Sequence, residues 1–130
     1  MTVLVDIELE LITRGTARFP SAVVRDELDN SLLGELPTIQ ITQIPAGDDD
    51  GVRLARMLVD IDVYAATRAG AIALARDVHA WMTGELPGTY SNSVVFGRIG
   101  ALTLPAVRSY DNTALRRVGA TYAVFCHSVP

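Results

Sequence analysis

The chain of 130 residues carries a formal net charge of −4, with 49% hydrophobic and 20% charged residues. These values are typical of a packed globular chain, and they exclude both a disordered segment and a basic field that attracts nucleic acid. The length predicts a single domain over residues 1–130.

Residues 3–14 fit two patterns, because their apolar positions alternate as in a strand and also mark one face of a helix. The acidic first turn and Arg14 near the end favour the helix, which Gly15 is expected to terminate. A short strand over residues 22–25 and a polar, turn-rich connection over residues 25–37 are predicted to follow.

The next two segments predict a long hairpin. Residues 37–44 alternate and are rich in β-branched side chains, residues 45–51 have the composition of a loop, and residues 52–64 alternate again. One face of the second strand carries Met57, Val59, Ile61 and Val63, and the other carries Arg56, Asp60, Asp62 and Tyr64. The hairpin tip is expected to present Asp48, Asp49 and Asp50.

A helix is predicted over residues 67–83, with Thr67 as N-cap, an apolar stripe, and Gly84 just beyond its end. A strand over 93–104 follows, in which Gly97 and Gly100 suggest a bulge or bend. A short extended piece then leads into an Asp-Asn turn, and the last strand runs from residue 115 to about 127. Hairpins imply antiparallel neighbours, so we predict an α+β fold in which helices cover one face of an antiparallel sheet, a two-layer sandwich.

The single cysteine, Cys126, lies in an apolar run, so we expect a small buried hydrophobe rather than a disulfide or a cysteine-based metal cluster. No apolar stretch approaches the ~18 residues that span a bilayer. The N-terminus is acidic where a signal peptide has a basic flank. The sequence therefore predicts a soluble protein without a membrane partner, made in a reducing cytoplasm.

The sequence contains only weak signs of a catalytic or ligand-binding site. His79 and His127 lack a partner at metal-ligand spacing, and Asp48–Asp50 lack the alternating ligands and the distal glutamate of a calcium loop. Asp60 and Asp62 share one strand face as a glycosidase pair would, but nothing else predicts a sugar cleft. Nucleotide-binding glycine motifs and an aromatic platform for nucleic acid are missing. We expect no enzyme activity, no cofactor and no metal.

Two segments give the chain a recognisable layout. Residues 36–82 run from a strand through a loop rich in glycine and acids to a strand ending in "VDIDVYA" and an alanine-rich helix. Residues 105–127 combine a proline, a Tyr-Asp turn, the pair Arg116 and Arg117, and an "ATYAV" strand. In these features the chain resembles the tail terminator proteins of long-tailed bacteriophages, especially those of actinobacterial hosts, and the related tail-completion proteins of the head–tail joint.

The resemblance implies a structural virion protein, assembled in the host cytoplasm and placed at the head-proximal end of the tail. Such proteins form a homo-hexameric ring that stops the tail tube and docks the head–tail connector, while DNA passes through the lumen without specific binding. An acidic chain fits such a lumen, because acids repel phosphates.

The adjacent arginines then have two interpretations: solvated turn and strand residues, or rigid bidentate donors to acids of a neighbouring subunit. Under the second, the candidate interface residues are Arg116, Arg117, Asp48, Asp49, Asp50, Asp60 and Asp62.

Two alternatives remain open. One is another head–tail joining protein, such as a head-completion or stopper protein. The other is a cytoplasmic α+β enzyme or ligand-binding domain, which a convergent polar pocket around His79 or Asp60 would favour.

Overall fold

A five-stranded sheet lies at the centre of the structure, a computed structural model that describes residues 5–49 and 54–129. In chain order the helices and strands are α1 (Ile7–Arg18), β1 (Val23–Arg25), β2 (Thr38–Asp49), β3 (Ala55–Ala65), α2 (Arg68–Ala80), β4 (Val94–Arg108) and β5 (Arg116–Ser128). The strand order is β1-β2-β3-β5-β4. Both helices pack on one face of the sheet through a shared core. The predicted α+β two-layer architecture is confirmed.

One pair of strands is parallel, where the sequence implied only antiparallel neighbours. β1 pairs with β2 in parallel register, Val23 opposite Thr38. The chain between them is long enough to return to the same end of the sheet, as a parallel pair requires. Part of this connection, which includes a 3₁₀ turn at Leu32–Gly34, packs against Tyr64 on the sheet face opposite the helices.

The first helix is confirmed as a helix, but its predicted end is wrong. Asp6 caps it by accepting a hydrogen bond from Leu9 N at 3.1 Å, and the helix continues to Arg18. Gly15 is buried inside it, where an added Cβ would lie 3.3 Å from Val24 Cγ1 and 3.4 Å from Trp81 Cη2. The glycine allows close packing rather than termination. The predicted residues 3 and 4 lie outside the described part of the chain.

The hairpin strand β2 is longer than predicted, because it continues through residues 45–49, which were expected to form a loop. Its register against β3 shifts between Gln43 and Gly47. Gly47 has φ +123°, and a Cβ there would collide with the carbonyl oxygen of Arg56. Glycine is therefore required at this bulge. The predicted tip residue Asp50 and the predicted strand residues 52 and 53 lie outside the described residues.

The second helix begins as predicted, with Thr67 Oγ1 accepting from Gly70 N at 3.1 Å. Its predicted end is wrong, because the chain continues from α2 into a π-helical turn, Trp81–Glu85, that includes Gly84. Leu86 N donates to Trp81 O at 3.0 Å to close this turn. Pro87 follows immediately, where a further helical N–H would be needed.

β4 is one strand rather than a strand and a separate extended piece. It continues through Pro105 to Arg108, and its register against β5 shifts at three places, the first between Phe96 and Ile99. Gly97 lies within this first shift, as predicted, whereas Gly100 pairs regularly with Ala123. Proline is tolerated because β4 is an edge strand with one unpaired side. The predicted last strand is confirmed as β5.

Burial of a cysteine thiol and of tyrosine hydroxyls makes the free energy of unfolding sensitive to high pH. Burial raises the pKa of the Cys126 thiol from 9.0 to about 11, and it is the largest cause that raises the pKa of Tyr64 from 10.0 to about 12. Between the unfolded and folded pKa values the unfolded chain binds fewer protons than the fold, so the free energy of unfolding decreases as pH rises.

We therefore expect urea denaturation to show stability falling from about pH 9 onward, with Cys126 responsible for the first part of the fall. Cys126→Val should flatten the stability profile between pH 9 and pH 10 and leave the later fall in place, because that fall is due to Tyr64 and Tyr122, whose pKa values burial also raises. An unchanged profile in the variant would contradict the assignment to Cys126.

Candidate functional site

Four charged side chains meet on the sheet face opposite the helices, and we call them the Arg–Asp cluster: Asp60, Asp62, Arg108 and Arg117. The antiparallel register places Asp62 opposite Gly119, two residues along β5 from Arg117, and Arg108 of β4 opposite Arg117. Arg117 Nε and Nη2 donate to the two oxygens of Asp62, each at 3.0 Å. Arg108 Nη1 donates to Asp62 Oδ1 at 3.1 Å and lies 3.5 Å from Asp60 Oδ1.

Gly119 provides the space for this cluster. A Cβ at this position would collide with Asp62 Oδ1 and would lie 2.8 Å from both Cδ and Cζ of Arg108. The Thr121 hydroxyl donates to Asp60 Oδ1, which fixes the second carboxylate. Arg108 of β4 can therefore cross the β5 backbone to reach Asp62 only because residue 119 has no side chain.

The electrostatics of the cluster are those of a partly buried ion pair. Asp62 is only 5% exposed. The hydrogen bond to Asp62 is the largest cause that raises the pKa of Arg117. A buried carboxylate must be paired, and the bidentate geometry satisfies both of its oxygens. The cluster links β3, β4 and β5 and disfavours any other register of these strands.

Arg117 and Asp62 were predicted as members of an interface between subunits, and the structure pairs them within one chain. Neither charge therefore needs a partner from a second subunit. Arg116 differs, because it is exposed and its Nη1 donates to two carbonyls of its own turn, those of Thr113 at 2.9 Å and Leu115 at 3.2 Å. Its carbonyl contacts leave its charge unneutralised, so an interface role for Arg116 stays a prediction.

The acids of the hairpin lie at the other end of the sheet from Arg116. Asp49 pairs with Ala55 at the start of β3, whereas Arg116 pairs with Ala65 at its end. Asp48 Oδ1 lies 3.7 Å from Arg56 Nη1, beside a shallow depression of about 180 Å³. Contact between these acids and Arg116 would thus require two copies of the chain.

The residues considered for catalysis are occupied by structural contacts. His79 Nδ1 lies 3.0 Å from the hydroxyl of Tyr122, and His127 Nδ1 lies 3.0 Å from the Ser128 carbonyl oxygen. Within the part of the chain that the structure describes, no group of three His, Cys, Asp or Glu side chains is placed to hold a metal ion. No helix among the described residues is long and apolar enough to cross a membrane.

The sequence analysis missed two features, one in the Arg–Asp cluster and one on the surface of β4. Arg108 completes the Arg–Asp cluster, and only the register of β4 against β5 reveals this. The second feature is apolar exposure on β4, where Leu102, Leu104 and Val107 are 51%, 71% and 49% exposed. The uncharged run over residues 99–107 was the available signal, since an edge strand without charge is unusual at a solvent boundary.

Comparison with known proteins gives an informative likeness. No protein-family model matches the chain, and no curated protein matches it. Among solved structures, it is similar to a chain in the virion of a native gene transfer agent particle, with 20% sequence identity and a TM-score of 0.58. The match covers 93% of this chain and 90% of the other, so the two share a fold over nearly their whole length.

Proposed function

We propose that the chain is a structural protein of a phage-like virion, and more specifically a tail terminator. In this role six copies form a ring on the head-proximal end of the tail tube, end its polymerisation, and provide the surface on which the head–tail connector docks. The observation that carries the proposal is the likeness to a virion component over 93% of the chain. The layout of the Tyr-Asp turn, the arginine pair and the last strand supports the finer assignment.

The exposed charges at the two ends of the sheet suit contacts between proteins. Arg116 is exposed at one end of the sheet, and Asp48 and Asp49 are exposed at the other. Arg116 is the candidate for an ion pair with an acid of a neighbouring subunit, and the hairpin acids are candidates for contact with the tube or for the lumen. Exposed charges of this kind determine orientation and register more than affinity.

A charge reversal at Arg116 tests the interface role without disturbing the Arg–Asp cluster. We expect Arg116→Glu to leave the thermal melt within a few degrees of wild type, because an exposed ion contributes about 1 kcal/mol or less. Ring formation should weaken. Native mass spectrometry with and without tube protein measures this change. Arg116→Ala is the matched control for loss of charge without reversal. Rings unaffected by Arg116→Glu would remove this residue from the interface.

Loss of the gene in its phage distinguishes a terminator from the alternative neck proteins. Without a terminator, tube polymerisation continues, so electron micrographs should show overlong tails. Loss of a stopper or head-completion protein instead gives heads that leak DNA or lack tails. Gold-labelled antibody against the chain should bind at the junction of head and tail. Tails of normal length in the deletion strain would reject the terminator assignment.

A further inference from the structure

The outer edge of β4 forms an apolar surface, which we define by Leu102, Leu104 and Val107 and call the β4 edge. Leu102 and Leu104 lie beside the two register shifts on either side of Thr103, where β4 does not pair regularly with β5. Leu104 is 71% exposed. A long unpaired edge with exposed leucines and no charge promotes association with another chain.

The opposite flank of the subunit carries an apolar groove of about 430 Å³, which we call the α2 groove. Leu36 and Pro37 line one side, and Ala73 and Leu74 of α2 line the other. Ala73 is exposed, so the groove opens toward solvent. Asp77 is the charged residue in its lining. The groove is therefore a mostly apolar depression with a negative charge in its wall.

The two flanks differ in charge as well as in shape. Beside the β4 edge, Arg68 and Arg76 of α2 line a second depression, about 420 Å³ in volume, together with Val107. The α2 groove carries the opposite charge, that of Asp77, which is exposed. The depression beside the β4 edge is thus basic, whereas the α2 groove carries a carboxylate.

We propose that copies of this chain associate head to tail, with the β4 edge of one copy seated in the α2 groove of the next. The proposal rests on the proposed ring-forming function and assigns the surfaces that build the ring. The apolar edge fits an apolar groove, and the arginines beside the edge carry the charge opposite to that of Asp77 in the groove. β1 and β4 are opposite edges of the sheet. Contact between two different patches on opposite flanks propagates, and it closes into a ring when the rotation allows.

Paired cysteines test the contact directly. In Leu104→Cys/Ala73→Cys, mild oxidation of the purified protein should produce a ladder of disulfide-linked oligomers on a non-reducing gel. A mixture of the two single variants should produce dimers but no larger species, because each copy then has one reactive surface. Either single variant alone should remain monomeric. Wild type controls for Cys126, which is fully buried.

Thiols held in a docked interface react at a high effective concentration, so dimer yield in the mixture should exceed that of either single variant by about tenfold or more. Equal yields in the mixture and in one single variant would overturn the proposal, since that result indicates a symmetric or random contact. A double variant that stays monomeric would also overturn it.

Leu104→Asp provides a second measurement that does not depend on disulfide formation. The substitution lies on an exposed side chain, so circular dichroism should give a melt close to that of wild type. Any oligomers that wild type forms should dissociate to monomers. Oligomers that survive Leu104→Asp would count against the β4 edge as the contact.

Failure of this inference can be distinguished from failure of the proposed function. Six-fold rings of wild type without cross-links between residues 104 and 73 would leave the ring function in place and reject only the assigned surfaces. Cross-linked ladders of the purified double variant, together with tails of normal length in the deletion strain, would support the contact and reject the terminator role.

Discussion

Val59→Asp is expected to unfold the protein at room temperature. Val59 lies at the centre of β3, has no exposed surface, and faces the core beneath the helices. An aspartate there loses the apolar burial and places a carboxylate where no partner can reach it. The lost burial of the valine, about 1.5–3 kcal/mol, adds to the several kcal/mol that an unpaired buried carboxylate costs, so the sum reaches the lower part of the roughly 5–15 kcal/mol stability of a typical domain.

The expected observation is the loss of a cooperative transition in thermal and urea denaturation. Ile61→Asp, on the same strand face, should behave in the same way, because Ile61 is also buried. Leu9→Asp is the matched control: the same kind of substitution on an exposed side chain of α1, which should leave the transition near that of wild type. A cooperative melt of Val59→Asp near the wild-type temperature would reject the assigned face of β3.

The second large effect is expected at Gly119. Gly119→Ala introduces a methyl group that collides with Asp62 Oδ1 and with Arg108, so the Arg–Asp cluster has to move apart. Overpacking alone typically costs ~1–3 kcal/mol, and disturbance of a buried ion pair adds to it, so we expect a loss of about 2–4 kcal/mol. Urea denaturation followed by circular dichroism measures this loss.

Gly100→Ala is the matched control, since Gly100 lies on the neighbouring strand β4 and a Cβ there meets nothing within 4 Å. Its stability should stay within about 0.5 kcal/mol of wild type or increase slightly, because alanine restricts the unfolded chain. Asp62→Ala removes the atom that the new methyl group meets. The double variant Gly119→Ala/Asp62→Ala should therefore lose less stability than the sum of the two single losses. Strict additivity would show that the two residues do not interact.

The alternation of residues in β3 was sufficient to predict its buried face. Met57, Val59, Ile61 and Val63 all belong to the core that the helices cover. The helix that follows was equally clear, because its N-cap and its apolar stripe are local features of the chain. Both predictions depend on periods of two and 3.6 residues, which are visible without knowledge of any long-range contact.

The ends of elements were predicted less well, and the reason is packing. Gly15 and Gly84 were predicted to mark the ends of the two helices. Gly15 instead lies inside α1 against Trp81, and Gly84 lies within a π-helical turn. A glycine signal alone does not distinguish a stop from a close approach of two elements. That distinction depends on which surface faces the glycine, and the neighbouring surface comes from a distant part of the chain.

The candidate site shows the same division. The sequence by itself determined the strand order along the chain, the face of β3 that enters the core, the position of the arginine pair, and the acidic residues that an arginine could meet. Only the tertiary structure decided that Arg117 and Asp62 pair within one chain, that Arg108 joins them over Gly119, and that the apolar β4 edge and the α2 groove lie on opposite flanks. The physical reason is that local periodicity records which way a side chain points, whereas strand register across the sheet determines what it meets there.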